Sequence, residues 1–121
     1  MHPVTVENDC IRMEIWPQIG GKVSSIVDKA DNFLVKRFYN LDHNTYLEGS
    51  LPAKYKELMG LVASTCLRCD DCIHYHIIQS CRLGVTRAEQ EEALNVALII
   101  GGSIAVPHLR RAYELLTELY G

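Results

Sequence analysis

Cys69-Asp70-Asp71-Cys72-Ile73-His74-Tyr75-His76, closed downstream by Leu83-Gly84-Val85-Thr86-Arg87-Ala88-Glu89, reads as a helix, a stop and the start of the next helix. Gly84 suits the left-handed residue that ends a helix, with Val85 as the apolar contact beyond it. Thr86 and Glu89 have the spacing of a capping box. Within the helix so bounded, side chains three and four residues apart stack, so Cys69, Cys72 and His76 share one face. Two thiols able to close a disulfide, with an imidazole within reach of one sulfur, are what thiol redox chemistry requires.

Working outward, the following helix, about 87–100, exposes Glu91 and Glu92 and is expected to bury Ala93, Leu94, Ala97, Leu98 and Ile99, a stripe wide enough to be largely internal. Gly101-Gly102 breaks it, and a last helix entered near 103–107 carries Leu109, Tyr113, Leu116 and Leu119. Upstream, Ser50-Leu51-Pro52 looks like a helix start, since proline is tolerated in the first turn. That helix, from 53 to about 67, has Leu58, Met59, Leu61, Val62 and Cys66 on one side. The stretch 22–37 is loosely helical with an interruption at Asp31-Asn32, while 38–49, rich in Asn, Asp, His and Gly, predicts a loop or a broken helix. Partial alternation of Val4, Val6, Cys10, Ile11, Met13, Ile15 and Trp16 fits a short strand or extended arm as well as a helix. The expected fold is all-α, with an irregular N-terminal arm over 1–20 and one helical domain over 21–121.

A chain of 121 residues, 48% hydrophobic and 22% charged, has the length and composition of one ordinary globular domain, small enough to gain from oligomerisation. The net charge of −3 and the scatter of basic residues, Arg110-Arg111 apart, argue against nucleic acid as partner. No apolar run approaches the roughly 18–20 residues that span a bilayer, and the first residues lack the pattern of a signal peptide. The expected location is the cytoplasm, with no membrane association. Five cysteines are present, and four of them (Cys66, Cys69, Cys72, Cys81) fall within sixteen positions. In a reducing compartment such crowding reads as redox-active or metal-binding rather than as a disulfide scaffold.

A helix start favours a thiolate through its N–H groups and dipole, whereas Asp70 and Asp71 oppose it. His76 can take the proton of Cys72 or, once protonated, hold its thiolate, leaving Cys69 as resolving partner. Structural zinc would need a fourth ligand from Cys66, His74 or elsewhere, and no second Cys/His pair follows at zinc-finger spacing. A c-type haem site is excluded because Ile73 follows Cys72. Cys66 and Cys81 read as core positions. His74 falls on another side of the helix from His76, and His108 reads as packing or capping. Trp16, Tyr39, Tyr46, Tyr55 and Tyr75 fit subunit contacts or a pocket wall. Glu57, flanked by Leu58, Met59 and Leu61, either reaches to water or is kept for chemistry, and by itself the first is the ordinary case.

Glu57 followed, after eleven residues, by Cys-x-x-Cys-x-x-x-His resembles the carboxymuconolactone decarboxylase-like superfamily, in particular its AhpD-like alkylhydroperoxidase branch. The similarity runs from about Phe38 to Tyr113 and includes Lys56-Glu57-Leu58-Met59-Gly60-Leu61-Val62-Ala63 and Gly101-Gly102-Ser103-Ile104-Ala105-Val106-Pro107-His108. It implies an all-helical fold, a homo-oligomer (trimer or hexamer), and a Glu–His–Cys–Cys relay with no cofactor or metal. On that resemblance Glu57 would be the proton acceptor, His76 its link, Cys72 the thiol oxidised to sulfenic acid, and Cys69 the thiol that closes the disulfide. Where that branch has a histidine between the cysteines, this chain has Asp70-Asp71.

The expected function is a thiol-dependent peroxidase or disulfide oxidoreductase in antioxidant defence, acting on a peroxide or disulfide and restored by an unidentified reductant. The alternatives are a carboxymuconolactone decarboxylase-type lyase, which has no use for the thiol pair, and a non-catalytic helical module that binds metal or senses oxidants.

Overall fold

The computed structural model describes residues 31–121. The arm expected over 1–20, the start of the domain and Cys10 lie outside the described residues. Among the described residues there are five α-helices and no strand: α1 (Phe33–Thr45), α2 (Ala53–Cys66), α3 (Asp70–Arg82), α4 (Arg87–Gly101) and α5 (Val106–Tyr120). A short 3-10 turn, Gly102–Ala105, links the last two.

Local chemistry sets most boundaries. Asn32 caps α1 by accepting from the backbone N–H groups of Leu34 (2.9 Å) and Val35 (3.3 Å). Pro52 immediately precedes α2. At the end of α3, Gly84 sits at φ +83, with its N–H on the Cys81 carbonyl and that of Val85 on the Ser80 carbonyl. These are the paired bonds of a Schellman stop, and Val85 is buried beyond it. Thr86 and Glu89 close the capping box of α4 in both directions. Gly102, at φ +74, ends α4.

The stretch 38–49, expected as a loop or broken helix, is helical through Thr45. Its Asn, Asp and His residues are weak helix formers, so propensity underrates it. A tertiary contact compensates: Lys56 Nζ donates to the carbonyls of Thr45 (2.9 Å) and Leu47 (2.8 Å), satisfying the C-terminal end of α1 from α2. The interruption at Asp31-Asn32 is the start of this helix.

The core is built from Leu61 of α2, Ile73, Ile77, Ile78 and Cys81 of α3, Leu94 of α4, and Leu109, Ala112, Leu115, Leu116 and Leu119 of α5. Gln90, fully buried, donates to the Ile77 carbonyl (3.1 Å) and to the Tyr120 hydroxyl (2.9 Å), which itself donates to the Val85 carbonyl (2.6 Å). One polar side chain thus fastens α4 to α3 and α5. The expectation that α4 is largely internal needs correction, since Ala93 and Leu98 are only half-buried. Leu94 and Ala97 are buried, but Ile99 is 84% exposed, and Val96, Ile100 and Ile104 are exposed beside it. Helix α4 has apolar residues on more than one side, and a single chain covers only one of them. An 18-residue window within Arg87–Tyr120 reaches a mean hydropathy of 1.4, the range of a membrane span, although no uninterrupted apolar run is that long. The run is divided by Gly102 and the 3-10 turn, and its α5 portion contributes Leu109, Leu115, Leu116 and Leu119 to the core.

Candidate redox site

Helices α2 and α3 are joined by a turn of the same Schellman type as the one after α3. The N–H of Cys69 bonds the Ser64 carbonyl (3.0 Å) and that of Arg68 bonds the Thr65 carbonyl (3.1 Å), with Arg68 at φ 60. This tight reversal delivers Cys69 as the residue that caps α3, its sulfur accepting the Cys72 N–H at 3.3 Å. Cys69 and Cys72 form a disulfide, their Cα atoms 5.3 Å apart. Cys72 is the more open to solvent of the two.

The reversal also lays α2 antiparallel against α3, which brings Glu57 to His76. Glu57 Oε1 lies 2.8 Å from His76 Nδ1, and both side chains are buried, at 8% and 11% exposure. Glu57 is therefore no surface carboxylate. A carboxylate can only accept, so Nδ1 carries the donated hydrogen, which leaves Nε2 as the basic nitrogen of a neutral ring. His76 stands one helical turn after Cys72 on the same face of α3.

Glycine at 60 makes this approach possible. A Cβ there would stand 2.6 Å from His76 Cε1, 2.8 Å from Nε2 and 2.8 Å from the Tyr46 hydroxyl. Gly60→Ala is expected to push the imidazole and the phenol off their positions while leaving the helix content intact. Reduced protein carrying it should lose at least tenfold in the rate of thiol oxidation, since misplacement of about 1 Å costs up to ~10²-fold; an unchanged rate would mean that the ring position does not matter.

Tyr46 closes the other side of the ring, with centroids 5.3 Å apart, and Tyr75 meets its edge at 5.5 Å. Burial, reinforced by the charges of Glu57 and Asp42, pushes the Tyr46 phenol above its ordinary pKa, so it stays protonated. Tyr46 lines two cavities. One, about 380 Å³, is bordered by Asp42, His43, Glu57, Tyr75, Gln79 and Arg82. The other, about 410 Å³, is bordered by Leu51, Met59, Gly60 and Ala63. Of the tyrosines assigned to subunit contacts or a pocket wall, Tyr46 and Tyr75 are thus at the wall.

Asp70, between the cysteines, is held from α5. Its Oδ1 accepts from His108 Nδ1 at 2.7 Å and its Oδ2 from Arg111 at 3.1 Å. Partial burial alone would raise its pKa; the His108 hydrogen bond and the charges of His108, Arg111 and His74 outweigh that and hold the carboxyl below the usual carboxylate range. His108, expected to pack or cap, does hold the start of a helix, though that of α3 rather than its own. His74 is half-buried, Cys81 is in the core, and the half-buried Cys66 directs its sulfur at the Ala97 carbonyl, 3.8 Å away.

Residues 34–115 match the Carboxymuconolactone decarboxylase family. The chain belongs to that family. A crystal structure of a carboxymuconolactone decarboxylase family protein from Thermotoga maritima, whose description raises an involvement in the antioxidative response, is 54% identical and superposes with a TM-score of 0.72 over 74% of this chain and 93% of that one. A second structure of the same Thermotoga maritima protein is 51% identical, with a TM-score of 0.75 over 79% and 83% of the two chains. An uncharacterised protein of Cupriavidus necator is 34% identical over 72 residues, and the match spans 60% of this chain and 64% of that curated relative. Membership in this family accounts for the all-α fold, and the Cys-x-x-Cys pair lies within the matched region.

Proposed function

We propose that this family member is a thiol-dependent peroxidase of the cytoplasm. The observation that carries the reading is the buried Glu57–His76 pair, whose imidazole stands one helical turn after the exposed Cys72 of a Cys69–Cys72 disulfide. In the dithiol form, His76 Nε2 takes the proton of Cys72, and the Glu57 carboxylate stabilises the imidazolium through Nδ1. The Cys72 thiolate attacks one oxygen of a hydroperoxide. The O–O bond breaks, Cys72 becomes a sulfenic acid, and the departing alkoxide takes up a proton to leave as an alcohol. The Cys69 sulfur then displaces water from that sulfenic acid and forms the disulfide. An external dithiol reductant returns two electrons and two protons. In sum, dithiol and hydroperoxide give disulfide, alcohol and water. The Thermotoga maritima relative's description supports a role in this chemical area.

The test is a count of free thiols on reduced protein before and after one equivalent of hydroperoxide. Two thiols should disappear per peroxide, and peptide mapping should place the new bond between Cys69 and Cys72. An unchanged count would remove the peroxidase reading.

The same reading includes a homo-oligomer, a trimer or a hexamer. Its support is the exposed apolar face of Val96, Ile99, Ile100 and Ile104, together with α1, which buries none of its own side chains and leaves Phe33, Leu34, Phe38 and Leu41 exposed. Light scattering at micromolar concentration should return a multiple of the 13.7 kDa chain mass, and a monomeric mass would contradict it.

A further inference from the structure

Two carboxylates between redox cysteines are an electrostatic problem, because negative charge beside a thiol disfavours its thiolate. At Asp70 the fold answers it with two groups from a distant helix. Both carboxylate oxygens are engaged, Oδ1 by His108 and Oδ2 by Arg111, across 38 and 41 residues of sequence. The Arg111 guanidinium also donates to the Pro107 carbonyl at 3.3 Å, so its position is fixed from its own helix. Asp70 is the first residue of α3 and directly follows Cys69, whose sulfur caps that helix. Any group that binds Asp70 therefore acts on the turn that carries both sulfurs. His108 is three-quarters or more buried and Arg111 about half exposed, and both meet the carboxylate of the residue that directly follows Cys69.

We propose that Asp70, His108 and Arg111 form a charge-compensating cluster that positions the Cys69–Cys72 turn and sets how readily its dithiol ionises and oxidises. Asp70 is a positioning residue, and His108 and Arg111 act through it. Among the described residues, the groups that face its carboxylate are His108 and Arg111 from α5 and, on its own helix, His74. Removing Asp70 takes a negative charge away from the residue next to Cys69, which favours the thiolate. Removing Arg111 leaves the carboxylate less compensated, which disfavours it. A clasp that served only to hold two helices together would produce no such opposition, since loss of either partner would break it alike. The inference rests on the proposal that the dithiol is redox-active.

The experiment uses Asp70→Asn, Arg111→Met, His108→Gln and the Asp70→Asn/Arg111→Met pair, each first checked for helical content. Thiolate formation in reduced protein is read from the pH dependence of alkylation by iodoacetamide, and the dithiol–disulfide equilibrium is read in glutathione buffers. Neither readout uses peroxide, so failure of the peroxidase reading and failure of this one are separable. Asp70→Asn should raise the thiolate fraction at fixed pH about three- to tenfold, the effect of about half to one pKa unit from one nearby charge. It should also make the disulfide more oxidising, because a stabilised thiolate favours the reduced form. Arg111→Met and His108→Gln should move both readouts the other way. In the Asp70→Asn background Arg111 has no carboxylate to compensate, so the effect of Arg111→Met should shrink or vanish, which is the signature of coupling through the carboxylate. Shifts of the same sign in Asp70→Asn and Arg111→Met, or no shift in either, would overturn the proposal.

Discussion

Cys72→Ser should abolish peroxide consumption outright, while Cys69→Ser should permit one oxidation event and stop at a sulfenic acid that a dimedone-type reagent can trap. The asymmetry follows from position. Cys72 is solvent-exposed and lies one turn before His76, so it can both meet a peroxide and lose its proton to the imidazole. Cys69 is half-buried as the cap of α3, with its sulfur on the Cys72 N–H, which suits a thiol that waits to attack rather than one that attacks first. Removing it leaves the first step intact and deletes the second. Mass spectrometry that found a stable sulfenic acid on Cys69 in Cys72→Ser protein would exchange the two roles.

Glu57→Gln should slow thiol oxidation by about 10²-fold or more, the usual size of a general-base contribution. A glutamine can still accept the Nδ1 hydrogen, so the ring is held and the fold is kept. What it lacks is the negative charge that stabilises the imidazolium when Cys72 gives up its proton. His76→Ala should be at least as damaging and should raise the apparent pKa of the attacking thiol by removing that cation. It also strands the Glu57 carboxylate in a buried position, so a loss of stability should accompany it, about 3–5 kcal/mol for a severed buried pair. Stopped-flow oxidation of reduced protein over a range of pH separates the two effects. A Glu57→Gln protein that reacts like its parent would make the buried pair a structural tie only.

The local parts of this fold are written in the sequence. Gly84 and Val85, Thr86 and Glu89, Pro52 and the Gly101-Gly102 break act through backbone conformation and bonds a few residues long, so nearby residues are enough to predict them. The shared face of Cys69, Cys72 and His76 is of the same kind, since helix periodicity alone creates it. Helix α1 was less accessible because its composition argues against it. What completes its C-terminal end is Lys56, which reaches across from α2.

Spacing alone favoured a solvated role for Glu57, and resemblance to a family was needed to bring it to the site. Only the antiparallel packing of α2 on α3 buries it at 2.8 Å from an imidazole nineteen residues away. Gly60 and Tyr46 matter because that packing brings backbone, ring and phenol to one point. The partners of Asp70 lie still farther off, on α5. Ile99 likewise belongs to an apolar pattern that marks it as buried, yet a helix with apolar residues on several sides can turn only one of them to its own core. The sequence by itself determined where helices start and stop and which thiols share a face with a base, because those depend on neighbours along the chain. The tertiary structure decided which carboxylate meets that base, what compensates Asp70 and which apolar side stays open, because contact between distant residues is settled by how the helices pack.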